Sequence, residues 1–464
     1  MVAIVTDTIK KNMATLLLDQ VNNPLADSHE FYIGIGKSDT YNSTDTTINP
    51  LRTFREERNF RNNLQAVKKV EGASLVIPRY NWTAGTIFSA FSDSVQGIPT
   101  NSYYVLTSNN EVYICLKQPT NATGEAQTST VQPNYSTQGT TIDAAFETTD
   151  GYIWKYMYEL SASRAATFLS TNWIPIEYVD SSDQATNAAS QNQFNVEDAA
   201  VSGQILGVIV TNGGSGYTST PTISFRGNGT GGSATATVVG NSITKIEMDD
   251  ETSFGSGYDY AEVVITGGSG SGAAARAIIG PVEGIGDNPT VDLKANNIML
   301  NIKPDGRVAP ANDSSRLNAF VVDAEFRQIG LMKNIRQSDS ANPGTFFKGT
   351  SGRALRYFKV SDITNFSNSI GRLMSTDSSP VTSAFIDDID SSAIYFHQND
   401  SSGFGTFHVG ANISGASGGS SQISQNVRNS AVNPFTGEVL YVENRAAVLR
   451  DADQQEDIKV IITV

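Results

Sequence analysis

GEVLYVENRAAVLRDADQQEDIKVIITV, residues 437–464, reads as a strand, a charged turn region and a second strand that continues to Val464. Ile458, Val460, Ile462 and Val464 alternate with Lys459, Ile461 and Thr463, close to the period-2 signature of a half-buried strand. Chain ends fray unless something ties them down, so this stretch predicts a terminus locked into a sheet. Glu443-Asn444-Arg445 breaks the apolar texture as a compact polar triplet, expected as a salt-bridged turn.

Working outward, the same strand texture recurs along most of the chain. The sequence has 464 residues, of which 39% are apolar and 17% charged, with Ser, Thr, Asn, Gln and Gly making up the difference. That balance points to a β-rich protein with long polar connections, and the length to about three domains. Lys and Arg number 32 against 47 Asp and Glu, a formal charge of −15. Such a surface repels phosphate backbones and anionic lipid, so neither nucleic acid nor membrane is an expected partner. Cys115 is the only cysteine; it sits in the apolar run Val112–Leu116 and reads as a buried, inert thiol. The opening MVAIVTDTIKKN lacks a basic region ahead of an apolar run, so synthesis and maturation in a cytoplasm are expected.

One helix is predicted over Asp7 to Val21, capped by Asp7, with Ile9, Met13, Leu16, Leu17 and Val21 on one face. A second is predicted over Arg55 to Lys69. Strands are expected at Phe31–Gly36, Leu75–Pro78, Ser102–Leu106, Glu111–Leu116 and Tyr152–Leu160, then at Val291–Ile302, Ala319–Phe326 and Gln328–Met332. Composition shifts near Val201: 18 of the 40 glycines fall between Val201 and Gly284. Gly214-Ser215-Gly216-Tyr217 recurs there as Gly255-Ser256-Gly257-Tyr258, a period of 41, and Ala234-Thr235-Ala236 aligns with Ala275-Arg276-Ala277. Two copies predict a small, pseudo-symmetric all-β insertion. From Ser361 to Gln425 the chain is Ser/Asp/Gly-rich, with strands expected at Ala393–Phe396 and near Phe404–Val409.

Motifs that would carry chemistry fail on inspection. Ile35-Gly36-Lys37-Ser38 resembles the tail of a phosphate-binding loop, but Phe31 stands where its first glycine belongs. His29-Glu30 lacks the second histidine of a zinc helix, since Ile33 occupies that position. His397 and His408, on neighbouring expected strands, are two ligands where zinc takes three or four. Asp387-Asp388-Ile389-Asp390 lacks the spaced ligands of a calcium loop. Gly415-Ala416-Ser417-Gly418-Gly419 fits the string of a hydrolase elbow, yet no helical pattern follows it. The expectation is therefore a protein that is not an enzyme and carries no cofactor or metal.

Aromatic and basic groups stand out instead. Arg79 and Trp82 close the Val76–Trp82 stretch, and Tyr152, Trp154, Tyr156 and Tyr158 share one parity on a strand, a stripe that fits a core or a subunit interface. Arg52, Arg55, Arg58 and Arg61 would line one side of the second helix, solvated or docked on an acidic neighbour.

FYIGIGKSD (31–39), VIPRYNW (76–82), VYICL (112–116), DGYIWKYMYEL (150–160), LKANNIMLNI (293–302), FRQIGLMKN (326–334) and the 437–464 stretch together resemble the baseplate wedge subunit, gene product 8, of T-even-type contractile-tailed bacteriophages. The resemblance leaves out the glycine-rich repeat and the 361–425 region, so the chain reads as a longer, cyanophage-type member. It implies a mainly β fold with a β-sandwich-like core and a few helices. The core would comprise residues 1–200, 288–360 and 426–464, interrupted by insertions at 201–287 and 361–425. It implies a structural virion protein of the tail baseplate. Its partners would be a second copy of itself, other wedge subunits, and tail-fibre or pin proteins, and it would help relay host attachment into sheath contraction. Arg79, Trp82, Trp154, Tyr156, Arg327, Glu443, Asn444 and Arg445 are the structural or interface candidates. The alternative is a carbohydrate-binding or depolymerising tail protein, which the same acidic, Gly/Ser-rich β texture would also serve. The locked terminus gives a direct expectation: deleting residues 457–464 abolishes soluble expression or dimer formation, whereas a normal soluble dimer from the truncated chain would refute it.

Overall fold

A computed structural model describes residues 5–22, 30–95, 97, 99–179, 188–304, 319–338, 343–451 and 456–464. The described residues are mainly antiparallel β sheet with a few helices. The terminal strand is Ile458–Thr463, hydrogen-bonded to Asn297–Ile302 in a four-stranded sheet that continues through Gly72–Pro78 to Trp173–Pro175. Ile458 and Val460 are buried, Ile461 packs beside Val76, Phe168 and Met299, and Thr463 Oγ1 donates to Asn297 Oδ1 at 2.7 Å.

The chain divides into two compact units, one of residues 1–16, 74–299 and 461–464, the other of 17–73 and 300–460. The first contains residues 201–287 and the second contains 361–425.

In the first unit, a four-stranded sheet orders Tyr104–Leu106, Glu111–Lys117, Ile153–Glu159 and Ala145–Glu147. Its face carries a cluster of Val105, Tyr113, Cys115, Phe146, Trp154 and Tyr156. The glycine-rich segment forms a six-stranded sheet ordered Ser242–Met248, Ala234–Val239, Thr222–Gly227, Ala261–Thr266, Ser271–Ile279, Ile205–Ser215. Shifting residue numbers by the 41-residue period brings Thr222–Gly227 onto Ala261–Thr266 and Ala234–Val239 onto Ser271–Ile279, so the order of these four inner strands is its own reverse. Thr222–Gly227 and Ala261–Thr266 pair about the pseudo-two-fold axis, and the edge strands Ser242–Met248 and Ile205–Ser215 lie against each other.

The repeats clasp each other through their tyrosines. Tyr217, from the first copy, lies over Gly270 of the second, where a Cβ would sit 2.4–2.7 Å from the ring. Tyr258 lies in the same way over Gly229, where a Cβ would come within 2.4–2.5 Å. Gly229 and Gly270 are one period apart, so each conserved turn in the repeat supplies a ring to the other copy. Both tyrosines are buried.

In the second unit, a five-stranded sheet orders Ser351–Arg353, Leu64–Lys69, Phe31–Gly36, Ala324–Lys333 and Glu438–Arg450. Gly34 and Gly330 are cross-strand partners, and Phe60 of the Phe54–Asn63 helix fills the slot they leave; a Cβ on Gly330 would meet its ring at 2.4 Å. A six-stranded sheet orders Arg356–Lys359, Ala393–His397, Ser383–Asp390, Leu373–Thr376, Asn412–Gly415 and Ser420–Gln422. It has its own core of Phe358, Met374, Ile386, Phe396 and Ile413.

Several expectations need correction. The second helix ends at Asn63, and Leu64–Lys69 is a strand, because its apolar residues gain partners on both sides, Phe31–Gly36 and Ser351–Arg353. Pro289–Asp292 is a helical turn capped by Asn288, so the following strand begins only at Asn297. The segments expected at Ala319–Phe326 and Gln328–Met332 merge into one strand, Ala324–Lys333, bulged at Arg327. Phe404–Val409 is not a strand; Phe404 and Val409 are exposed and only Phe407 reaches the core. Glu443-Asn444-Arg445 is not a turn but the middle of the 13-residue strand Glu438–Arg450. The first helix is Asp7–Asn22, but Ile9, Met13 and Leu16 of its apolar face are exposed, while Ala14 is buried.

Gly270→Ala forces a methyl into the Tyr217 ring, and overpacking of this kind costs about 1–3 kcal/mol. Denaturant unfolding should register that loss, and Gly229→Ala should match it by symmetry; two variants as stable as the parent would refute the clasp.

Candidate functional site

The densest polar constellation lies inside the second unit, where residues following the Phe31–Gly36 strand meet the Ser383–Asp390 and Ala393–His397 strands. His397 is buried, and its Nδ1 lies 2.7 Å from Asp387 Oδ2 while Nε2 lies 3.4 Å from Asp39 Oδ1. Asp387 Oδ1 also accepts the Ser38 hydroxyl at 2.8 Å and the Gln65 amide at 2.9 Å. Asp39 is paired with Lys37 Nζ at 2.9 Å and accepts from Asn399 Nδ2 at 3.2 Å. The same Asn399 amide donates to Asn63 Oδ1 at 2.9 Å, Asn63 donates to Gln328, and Gln328 donates to Asn444 Oδ1 at 2.8 Å. Beside these, Arg353 meets Asp388 at 3.0 Å.

Local structure explains the convergence. Lys37 adopts φ 65° immediately after the strand Phe31–Gly36, turning the chain so that Ser38 and Asp39 face the other sheet. A bulge between Ile386 and Asp388 in Ser383–Asp390 places Asp387 and Asp388 where a regular strand would present one residue.

The electrostatics follow from burial and opposite charge. Burial alone favours neutral imidazole, but Asp387 and Asp39 outweigh it and hold His397 protonated up to about 9. Burial likewise opposes the Asp39 carboxylate, yet His397 and Lys37 draw it down to about 2. The imidazolium is thus clamped between two carboxylates. Both ring nitrogens are engaged, and the Ser38 hydroxyl hydrogen is committed to Asp387 rather than to the ring, so the arrangement does not set up a serine–histidine nucleophile pair. His408, weighed with His397 as a metal ligand, is exposed and outside any strand, and His29 lies outside the described residues. Among the described residues there is no group of three or more His, Cys, Asp or Glu arranged to hold a metal ion. Next to the clamp opens a cleft of about 720 Å³, lined by Asp39, Tyr41, Arg327, Arg372, Phe385 and Ser401 among others.

The sequence-derived candidates fall into separate places. Arg327 is buried at the bulge of its strand: its guanidinium takes Asp45 in a bidentate pair at 2.7–2.9 Å, Ser38 O at 2.6 Å and Glu325 at 2.6 Å. Tyr41 donates its hydroxyl to Arg327 O and accepts the Arg445 N–H at 3.1 Å, so it joins the two strands where their pairing is irregular. Asn444 enters the buried chain through Gln328 and donates to Ile48 O at 2.8 Å; Glu443 accepts from Tyr441. In the first unit, Trp154 and Tyr156 are core residues, 0% and 1% exposed. Arg79 donates to Ser170 O at 2.7 Å and to Asn81, and half-buried Trp82 donates to Ser129 Oγ at 3.1 Å. Of the arginine row, Arg61 turns inward onto the carbonyls of Pro434, Thr436 and Gly437 at 2.7–2.8 Å, Arg55 pairs with exposed Asp400, and Arg52 and Arg58 are exposed.

Sequence reasoning missed the clamp itself. Its signals were present: Lys37-Ser38-Asp39 directly after an apolar strand, and Asp387-Asp388 inside the otherwise apolar SAFIDDID. They were weighed only as ligands for phosphate or calcium, not as partners for one another. No family model matches the chain, and no curated protein matches it.

Breaking a buried ion pair by removing one partner leaves an uncompensated charge, at a cost of roughly 3–5 kcal/mol. His397→Ala should destabilise the protein by that order in denaturant unfolding. Because the folded pKa of His397 lies above its unfolded value near 6.5, its contribution is complete below pH ~6.5 and lost as pH rises toward about 9. Asp39, held low, contributes above pH ~4 and loses that contribution as pH falls toward about 2. Melting curves of the parent should therefore decline between pH 6.5 and 9, and His397→Ala should flatten that limb; parallel pH profiles would exclude the clamp.

Proposed function

We propose that the chain is a structural protein of a contractile-tailed phage, a subunit of the baseplate wedge that assembles as a homodimer with other wedge proteins and helps relay host attachment to sheath contraction. The supporting observation is where the family-like stretches lie. FYIGIGKSD, FRQIGLMKN and GEVLYVENRAAVLR, separated by hundreds of residues, supply three adjacent strands of one sheet. VYICL pairs with DGYIWKYMYEL, and VIPRYNW, LKANNIMLNI and the terminal IKVIIT supply adjacent strands of another sheet. Every stretch that carries the resemblance is thus hydrogen-bonded to another such stretch.

The physical character of the chain fits that role. The buried charges around His397 are internally paired, and with a single, buried cysteine the chain's stability does not depend on an intrachain disulfide.

On this proposal the purified protein has a solution mass of twice 49.6 kDa, and an antibody against it labels the baseplate end of purified tails. A stable monomer absent from tails overturns it. Binding on a glycan array, or digestion of host polysaccharide, by such a monomer favours the carbohydrate-binding alternative.

A further inference from the structure

The five-stranded sheet of the second unit ends very differently on its two sides. One edge is the three-residue strand Ser351–Arg353; the other is Glu438–Arg450, thirteen residues or roughly 40 Å of backbone. Among the described residues no strand pairs with the outer side of Glu438–Arg450, and none of residues 438–449 is buried. Leu440 and Leu449 are 46% and 49% exposed. A long edge of this kind is a template for another strand.

We propose that this edge is the contact between two copies of the chain, the strands pairing antiparallel about a two-fold axis at Asn444. The inference rests on the homodimer reading above and names its interface. The sequence of the strand is what selects a second copy as the occupant. An antiparallel two-fold at Asn444 sets residue i against residue 888 minus i. Glu443 then faces Arg445 of the other copy, twice, because the operator repeats the pair. Tyr441 faces Ala447, Leu440 faces Val448, Val439 faces Leu449 and Val442 faces Ala446. Apolar residues thus meet apolar residues, opposite charges meet, and Asn444 meets itself. Cross-strand pairs at this spacing are the unit of sheet stabilisation, and like charges directly opposite would be destabilising. Glu438 faces Arg450 in the same register, but Arg450 is buried and paired with Glu456 at 2.9 Å, so that match is not counted.

A second observation agrees. Glu443 accepts from Tyr441, and neither Glu443 nor Arg445 has an ion-pair partner among the described residues, although most other charged groups on this sheet do. The irregularities in pairing with Ala324–Lys333, after Leu331 and around Arg327, leave Tyr441–Asn444 as a regular run next to the proposed axis.

Charge exchange tests the register. Glu443→Arg places Arg against Arg twice, and Arg445→Glu places Glu against Glu twice; each variant alone should dissociate with a constant raised on the order of 100-fold, read by sedimentation equilibrium. Mixing the two variants should restore a heterodimer of near-parental affinity, since every facing pair is again opposite. The double variant Glu443→Arg/Arg445→Glu should dimerise with itself. Asn444→Cys should cross-link copy to copy on oxidation, because facing Cα atoms in an antiparallel pair lie within disulfide reach and Cys115 is buried. Unchanged dimerisation of Glu443→Arg overturns this interface while the virion reading stands. A monomeric parent protein absent from tails overturns both.

Discussion

The imidazolium of His397, closed between Asp387 and Asp39, is the interaction on which the second unit depends. It is a bridge between two sheets: Asp39 follows the Phe31–Gly36 strand of the five-stranded sheet, while Asp387 and His397 sit on adjacent strands of the six-stranded one. Taking three charges out of water is expensive, and their mutual attraction repays that cost only with good geometry and with every remaining lone pair satisfied. Here the satisfaction is supplied by Ser38, Gln65, Lys37 and Asn399. A polar cluster of this type adds little net stability over an apolar one of equal volume. It penalises every alternative packing in which a single partner is missing. By that accounting its contribution is to fix one arrangement of the two sheets.

The chain of amides that leaves the clamp extends this constraint to the sheet edge. Asn399, Asn63, Gln328 and Asn444 form a continuous run of side-chain hydrogen bonds from the six-stranded sheet across the five-stranded one. Each amide can donate and accept at once, so the run is satisfied only when all members hold their orientation. Arg327 locks the adjoining bulge through Asp45, Glu325 and the Ser38 carbonyl, which ties the bulge to the same turn that presents Asp39.

Much of this was legible from local pattern. The mainly β character followed from recurring apolar runs and turn residues. The 41-residue repeat, read from two GSGY turns, is a pseudo-two-fold sheet whose four inner strands reverse their order under the repeat. The register of that sheet was not legible, because it depends on Tyr217 and Tyr258 crossing to glycines in the opposite copy. The helix expected through Lys69 failed for a related reason. Arg, Glu and Lys favour a helix locally, but Leu64, Ala66 and Val67 gain two strand neighbours and a buried face, and tertiary burial outweighs propensity. The clamp escaped because its members are far apart in sequence, Asp39 lying 358 residues from His397. A single aspartate after a strand and a single histidine within one carry no signal until the fold brings them together.

Glu443-Asn444-Arg445 shows how one short polar triplet can be misread from sequence and still mark the right place. In isolation three polar residues among apolar neighbours suggest a turn, because a strand interior ordinarily rejects them. The strand keeps them because each faces a different demand. Asn444 closes the internal amide run, the Arg445 backbone meets the Tyr41 hydroxyl at the bulge, and the Glu443 and Arg445 side chains have no charged partner among the described residues. A strand with two unpaired opposite charges flanking one amide would be a poor edge in a solitary sheet, where lysines, prolines or short length are the usual protections. In the proposed pairing with a second copy, the same strand satisfies both charges at no further cost in sequence. The polarity that made the triplet look out of place is what an antiparallel self-pairing requires.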